Sequence, residues 1–319
     1  MQVFGPVPSR RLGRSLGINH IPPKVCSYAC RYCQLGSTLN MSIDRRNFFE
    51  PSSIIAEVGR KLEELRESGD PVDYMAFVPD GEPTLDLRIG ELARGLKGYG
   101  VPLAVITNSS LIGDREVRED LMAFDWVSLK VDGATEPVWR FVDRPHKGLS
   151  FDGIMEGLRA FSSDYRGHLE TETMLLAGAN DQDDHLEALA AFLSALSPDV
   201  CRLSSPTRPP ACPDVACVDE ERLAVATAIL ESQGLNPMIL NAYEGDDFTR
   251  TGDAREGLLS IMSVHPMKEA AVARFLREEG DDMAIVEEMV ASGDVTRTSW
   301  RGDVFYARNL RKANREGGR

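Results

Sequence analysis

Nowhere in its 319 residues does the chain hold a run of about 18 apolar residues, the length a helix needs to cross a bilayer. Residues 1–13 contain Arg10 and Arg11 and no apolar stretch, so no secretory signal is expected there. Aromatics are scarce at 7%, but a hydrophobic content of 42% excludes wholesale disorder. No internal repeat or low-complexity segment is visible. Bases are outnumbered, 36 Lys and Arg against 50 Asp and Glu, and a net charge of −14 offers no bulk field to attract nucleic acid. Cysteine is sparse as well. With six in the chain and a soluble, cytoplasmic setting expected, metal binding or catalysis is a better reading of them than disulfides.

What is present is unevenly placed. Residues 1–60 carry eight bases and three acids, and residues 307–319 carry five bases and one acid, which leaves 61–306 at a net −23. A polyanion would find only a local foothold, at one of the two basic ends. Between about residues 50 and 240, short apolar runs alternate with amphipathic stretches. Strands are expected near 16–20 and at 73–78, 103–106, 126–131, 169–176, 200–203 and 237–240. Helices are expected at 52–67, with Ser52 as N-cap, and at 87–96, 115–124, 151–161, 185–196 and 220–233. Strands alternating with helices of this length read as βαβ units on a parallel sheet, and six or more repeats fit a partial (β/α)6 TIM-like barrel over residues 1–244. Sites in such folds lie at the carboxyl ends of the strands.

The pattern then changes. Residues 245–252 read as a polar linker. Helical segments at 253–264, 267–279 and 281–292, followed by a hairpin around Arg301-Gly302-Asp303, predict a winged helix-turn-helix domain over 253–308, with a basic tail at 309–319.

The strongest chemical signal is Cys26-Ser27-Tyr28-Ala29-Cys30-Arg31-Tyr32-Cys33, which follows the first strand and a Pro22-Pro23 turn. Three thiolates spaced C-x3-C-x2-C on one loop can ligate three irons of a cubane and leave the fourth open, whereas electron-transfer clusters are closed by four cysteines. Zinc is the competing reading, and His20 is the nearby candidate for a fourth ligand. Two strands add inward charge: Ser128, Lys130 and Asp132 share one face, as do Glu170, Glu172 and Met174. Such charges must pair with each other or bind something.

The triplet, with Tyr32 just before its last cysteine, resembles the signature of the radical S-adenosylmethionine (SAM) superfamily. The flanking Gly5-Pro6-Val7-Pro8-Ser9-Arg10-Arg11-Leu12-Gly13 and Gln34-Leu35-Gly36 resemble the branch that contains the wyosine-base-forming tRNA enzymes. Archaeal members of that branch carry three further cysteines ahead of the triplet, and here none precedes Cys26. The resemblance implies a radical SAM barrel and a [4Fe-4S] cluster on Cys26, Cys30 and Cys33. It also implies reductive cleavage of SAM to a 5′-deoxyadenosyl radical, which takes hydrogen from a macromolecular substrate, tRNA or protein. Asp80-Gly81-Glu82 would hold the SAM amino group, with Asp80 where the superfamily usually has Gly. Tyr32, Asn108, Ser128, Lys130, Asp132, Glu172 and Met174 are the further cofactor-binding candidates. Gly178-Ala179-Asn180-Asp181 resembles a Gly-x-Asn-Asp turn of the branch, and Leu203 could flank the adenine.

An electron donor such as flavodoxin or ferredoxin is implied too, and Lys24 and Arg31 beside the cluster loop would suit its docking. Arg208 is a candidate contact for a substrate anion, or else an arginine paired with an acidic neighbour. Arg10 and Arg11 are candidates for phosphate. Cys201, Cys212 and Cys217 read as a buried core residue and two incidental thiols, or as an auxiliary cluster. The third C-terminal helix, 281–292, has four acids and no base, so the segment that would enter a DNA groove lacks the usual charge for it. An iron–sulfur regulator that uses the winged helix is the alternative outside catalysis.

Overall fold

The computed structural model describes residues 2–240, 253–264 and 266–312. The expected linker at 245–252 and the tail beyond residue 312 lie outside the described residues. Strand β1 (Val3–Ser9) opens the chain and turns into β2 (Gly13–Ile18), followed by two short strands, β3 (Val25–Cys26) and β4 (Asn40–Met41). Helix α1 (Pro51–Ser68) then leads to β5 (Tyr74–Phe77), α2 (Ile89–Leu96), β6 (Leu103–Thr107), α3 (Arg115–Leu121) and β7 (Trp126–Lys130). Two helices, α4 (Glu136–Asp143) and α5 (Phe151–Asp164), precede β8 (His168–Met174). Next come α6 (Asp183–Leu196), β9 (Val200–Ser204), α7 (Glu220–Ser232) and β10 (Pro237–Ile239).

One eight-stranded sheet has the order β1-β2-β5-β6-β7-β8-β9-β10. Every pairing from β2 to β10 is parallel, and β1 is an antiparallel edge. The strands follow each other in chain order with no reversal, which is the winding of a barrel wall and not of a doubly wound sheet. One face of the sheet carries the main core: Met75, Phe77, Leu103, Val105, Val127, Leu129 and Leu203 pack against Ile54, Leu92, Leu158 and Leu189 of the helices. The other face carries a smaller cluster, in which Ala76, Ala104 and Trp126 are closed over by Leu12 from the β1–β2 turn. Gly17 has no side chain because a Cβ there would lie 2.1 Å from the Phe4 ring, which crosses it from β1.

Besides the two-residue strands β3 and β4, two elements escape the sequence pattern, and one cap differs. Gly5, Pro6 and Pro8 hide β1, which keeps its pairing only as an edge strand with a register shift between Phe4 and Val7. Helix α4 is announced only by Pro137 in its first turn. Helix α1 begins at Pro51, with Glu50 as N-cap and no side-chain cap bond, so Ser52 lies inside the helix and does not cap it.

The described C-terminal residues form α8 (Ala254–Val264), β11 (Met267–Lys268), α9 (Glu269–Glu279), α10 (Ala284–Ala291), β12 (Val295–Trp300) and β13 (Asp303–Arg308). Met267 and Lys268, expected to begin a helix, pair instead with Tyr306 and Phe305 in an antiparallel sheet ordered β11-β13-β12. Arg301 and Gly302 both take positive φ, 52° and 87°, as the two-residue hairpin turn requires. Leu258, Val272, Phe275, Leu276 and Met289 give this part its own core, and α8 packs against β1. Among the described residues no helix is long and apolar enough to cross a membrane.

Candidate functional site

A cavity of about 340 Å³ opens at the carboxyl ends of the parallel strands, and each strand contributes to its wall, from Gly17 and Val78 through Asn108, Lys130 and Met174 to Ser204 and Leu240. The cysteine loop forms one side. Pairing of β3 with β4 folds the chain back on itself, with Cys26 opposite Met41. Ala29 N and Arg31 N then donate to the carbonyls of Asp143 (3.1 Å) and Val142 (2.9 Å) at the end of α4. On its other flank the loop meets the segment after β5: Lys24 N donates to Asp80 O (2.7 Å) and Glu82 N to Val25 O (3.1 Å). Gly81 is required by this approach, since a Cβ would stand 2.0 Å from Val25 O. Cys26, Cys30 and Cys33 all line the cavity as free thiols.

The surroundings of the three sulfurs differ. Asn108 Nδ2 donates to Cys26 Sγ (3.5 Å) and Lys24 Nζ to Cys33 Sγ (3.3 Å), while Cys30 Sγ faces Asp143 Oδ1 (3.5 Å). Burial pushes the Cys26 thiol up to about 12, with the Glu82 carboxylate adding to the effect, and burial also raises Cys30. Metal binding would release these protons. Three cavity-facing thiols with donors aimed at two of the sulfurs fit a site-differentiated cluster. His20 does not join them: it is fully buried against Phe77, its Nε2 lies 3.2 Å from Pro83 O, and burial lowers it to about 4. With His20 held there, the fourth ligand expected for zinc does not meet the triplet.

Of the ten residues expected to contact the cofactor, Tyr32, Gly81, Glu82, Asn108, Lys130, Glu172 and Met174 line the cavity, and Asp80, Ser128 and Asp132 do not. The Asp80 carboxylate turns away to accept from Asn19 Nδ2 (3.2 Å), and burial pushes it up to about 7. Ser128 sits one step deeper on β7, level with Glu170, and is fully buried. Asp132 lies past the strand end, where it accepts from Tyr32 Oη and from Met174 N (2.6 Å). Glu82 lines the cavity, but its carboxylate already accepts from Thr84 N (2.9 Å), Thr84 Oγ1 (2.6 Å), Thr107 Oγ1 (2.6 Å) and Asn108 N (2.7 Å). Its role is to lock the loops after β5 and β6 together.

The inward charges pair with one another. Glu172 takes Lys130 Nζ (3.2 Å) on one oxygen and the Arg11 guanidinium on the other. Burial pushes Glu172 up, but Arg11 and Lys130 outweigh it and hold the carboxyl at about 2. Burial likewise lowers Lys130, and Asp132 and Glu172 more than reverse it. One layer below, Arg202 grips Glu170 with two bonds of 2.8 Å. Asn180 ties the wall together, accepting from Leu176 N (2.8 Å) and donating to Asp132 O (2.9 Å) and Met174 O (2.8 Å).

The remaining candidates take varied places, and Arg10 and Arg208 both line the cavity. Lys24 is only 3% exposed, with its ammonium on Cys33 and Gly36 O, so it cannot meet a docking partner. Arg31 is paired with Asp214 and stacked over Phe141. Arg10 reaches Leu240 O (2.6 Å), which links the β1–β2 turn to the far edge of the sheet. Arg208 bonds Pro266 O (3.1 Å) and Gln34 Oε1 (3.2 Å), joining the C-terminal part to the residue after Cys33. Leu203 lies in the helix-facing core, away from the cavity lining. Cys201 is buried within β9, Cys212 accepts from Arg144 (3.4 Å), and Cys217 donates to Pro206 O (3.3 Å), so the three stand in separate environments. Sequence reasoning missed Asp143, which contacts Cys30 without lining the cavity, because it ends the unrecognised helix α4. Burial and the neighbouring Asp132 raise it well above the usual carboxylate range.

Comparison with known proteins agrees with this geometry. The family model described as the radical SAM superfamily matches residues 21–193. A UPF0026 protein from Methanocaldococcus jannaschii is 41% identical over 317 residues, covering 98% of this chain and 97% of its own. Among solved structures, a radical SAM methyltransferase from Sphaerobacter thermophilus aligns with a TM-score of 0.56 at 16% identity, over 72% of this chain and 67% of its own. TYW1 with a lysine-pyruvate adduct bound aligns with a TM-score of 0.53 at 15% identity, over 69% and 73%. At these identities the two structures establish a shared fold.

Proposed function

We propose, from the premise that this chain belongs to the radical SAM superfamily, that Cys26, Cys30 and Cys33 hold a [4Fe-4S] cluster beside a SAM site in the same cavity. The sheet is then a partial (β/α)6 barrel, and the C-terminal part a winged helix. When bound, the cluster and SAM supply a 5′-deoxyadenosyl radical that takes hydrogen from a substrate. The chain's own residues bind, orient and shield. Gly81 and Asn108 offer backbone and amide groups at the cavity wall, the Lys130–Glu172–Arg11 network presents fixed charge, and Tyr32 and Met174 supply apolar surface that excludes water. Asp80, Ser128 and Asp132 support this wall from behind. The observation that carries the reading is the convergence of three free thiols and the Glu82-locked loops on one cavity.

The substrate is a macromolecule of the cytoplasm, and the electron comes from a small acidic donor such as flavodoxin or ferredoxin. A tRNA is the reading supported by the resemblance of residues 5–13 and 34–36 to the wyosine-base-forming branch. A protein or peptide substrate is the second reading, favoured by α10 and the turn before it: Asp281 and Asp282 ahead of the helix and Glu287 and Glu288 within it are all exposed and would repel a phosphate backbone. Anaerobically reconstituted protein with dithionite should release 5′-deoxyadenosine from SAM, and Cys30→Ala should abolish the release. A fully loaded protein that leaves SAM intact would refute the reading and return the chain to the regulator alternative. Copurification with tRNA or with a particular protein separates the two substrates.

A further inference from the structure

We propose that Lys24 is a positioning residue that raises the reduction potential of the centre on Cys26, Cys30 and Cys33, an inference that rests on reading those three as cluster ligands. Lys24 takes a left-handed backbone, φ 61°, which a residue with a Cβ adopts only when held there. Three backbone bonds hold it: its N–H donates to Asp80 O (2.7 Å), and its carbonyl accepts from Leu39 N (3.2 Å) and Asn40 N (3.1 Å). The result is to turn a lysine side chain inward, 3% exposed, onto Gly36 O (2.8 Å) and Cys33 Sγ (3.3 Å).

Burying an ammonium is costly unless a countercharge meets it. No carboxylate pairs with Nζ among the described residues, and Asp80, which feels its charge, spends its hydrogen bond on Asn19. A protonated thiol is a weak acceptor and no countercharge, whereas the thiolate of a ligated cysteine is both. The arrangement is therefore electrostatically complete only when Cys33 is a metal ligand.

Among the described residues no ammonium is bonded to either of the other sulfurs. Cys26 has a neutral amide donor and Cys30 has a carboxyl group beside it. Reduction adds an electron to the cluster, and both hydrogen bonds to its sulfurs and nearby charge set its potential. A fixed cation at one sulfur stabilises the reduced form.

The test is a redox titration of the reconstituted cluster, followed by the electron paramagnetic resonance signal of its reduced state, with iron counted in the same samples. Lys24→Met keeps the length without charge, Lys24→Gln keeps a donor without charge, and Lys24→Arg keeps both. At about four irons per chain, Met and Gln should cut the reduced-to-oxidised ratio at a set potential at least tenfold, a shift of about 59 mV for one electron. Arg should hold the wild-type midpoint. An unchanged midpoint in a fully loaded Met or Gln variant overturns the proposal. So does loss of iron from both neutral variants, which would assign Lys24 to holding the cluster in place. Wild-type protein that never takes up iron would sink the cluster reading itself.

Discussion

Glu172→Gln tests whether the charge network of the cavity wall is worth what its geometry implies. The carboxylate is nearly fully buried and meets two cations, Arg11 and Lys130, whose side chains are 14% and 17% exposed. Held at about 2 against 4.5 for an ordinary glutamate, and at about 1.4 kcal/mol per pH unit, its ionised form contributes on the order of 3 kcal/mol to the folded state. A second route reaches the same size: removing one partner of a buried ion pair costs about 3–5 kcal/mol, because the remaining charge is stranded. The sign follows from a depressed acid. The contribution is fully present above the unfolded value near 4.5 and is lost as pH falls through about 2. Urea unfolding of both proteins across that range should give a gap of roughly 3 kcal/mol at pH 7 that closes towards pH 2, where protonated Glu and Gln are electrically alike. A gap below about 1 kcal/mol at pH 7, or one that does not change with pH, would refute the network as described.

How much of this was legible in the sequence depends on how local each relation is. The cysteine loop was legible because its three ligands lie within eight residues. The parallel strands were legible because helices on one face impose an apolar period, so that Leu129 and Val127 declare themselves beside Lys130. The charged inner face was visible as a pattern, but its meaning was not. Glu172 reads as a ligand contact until Arg11, from the other end of the sheet order, is seen to occupy it. Lys24 misled for a different reason. A lysine beside a cluster loop belongs on the surface by its chemistry, and only a left-handed turn fixed by Asp80, Leu39 and Asn40 sends it inward. Asp143 was invisible because its contact with Cys30 spans 113 residues and depends on where α4 ends.

Substitutions at two residues probe the wall without touching a thiol. Gly81→Ala places a Cβ against the backbone of Val25 at 2.0 Å, with Ile21 Cδ1 at 3.0 Å. The loop must back away, and a loss of about 1–3 kcal/mol in urea unfolding with weaker SAM binding is expected; a variant that matches wild type in both would contradict the close packing. Asn180 permits a sharper comparison. Its side chain is fully buried and makes three bonds, accepting from Leu176 N and donating to Asp132 O and Met174 O at the ends of β7 and β8. Asn180→Ala leaves three buried backbone groups unsatisfied, at roughly 1 kcal/mol or more each, so a loss of about 3 kcal/mol is expected. Asn180→Asp deletes far less volume and keeps the acceptor for Leu176 N. It nevertheless turns an oxygen towards two carbonyl oxygens, so it should destabilise at least as much as Ala at neutral pH and recover in part on acidification, as the protonated acid regains a donor. If Asp equals wild type at pH 7, the two Nδ2 bonds are not what holds β7 and β8 in register, and the Lys130–Glu172 pairing needs another support.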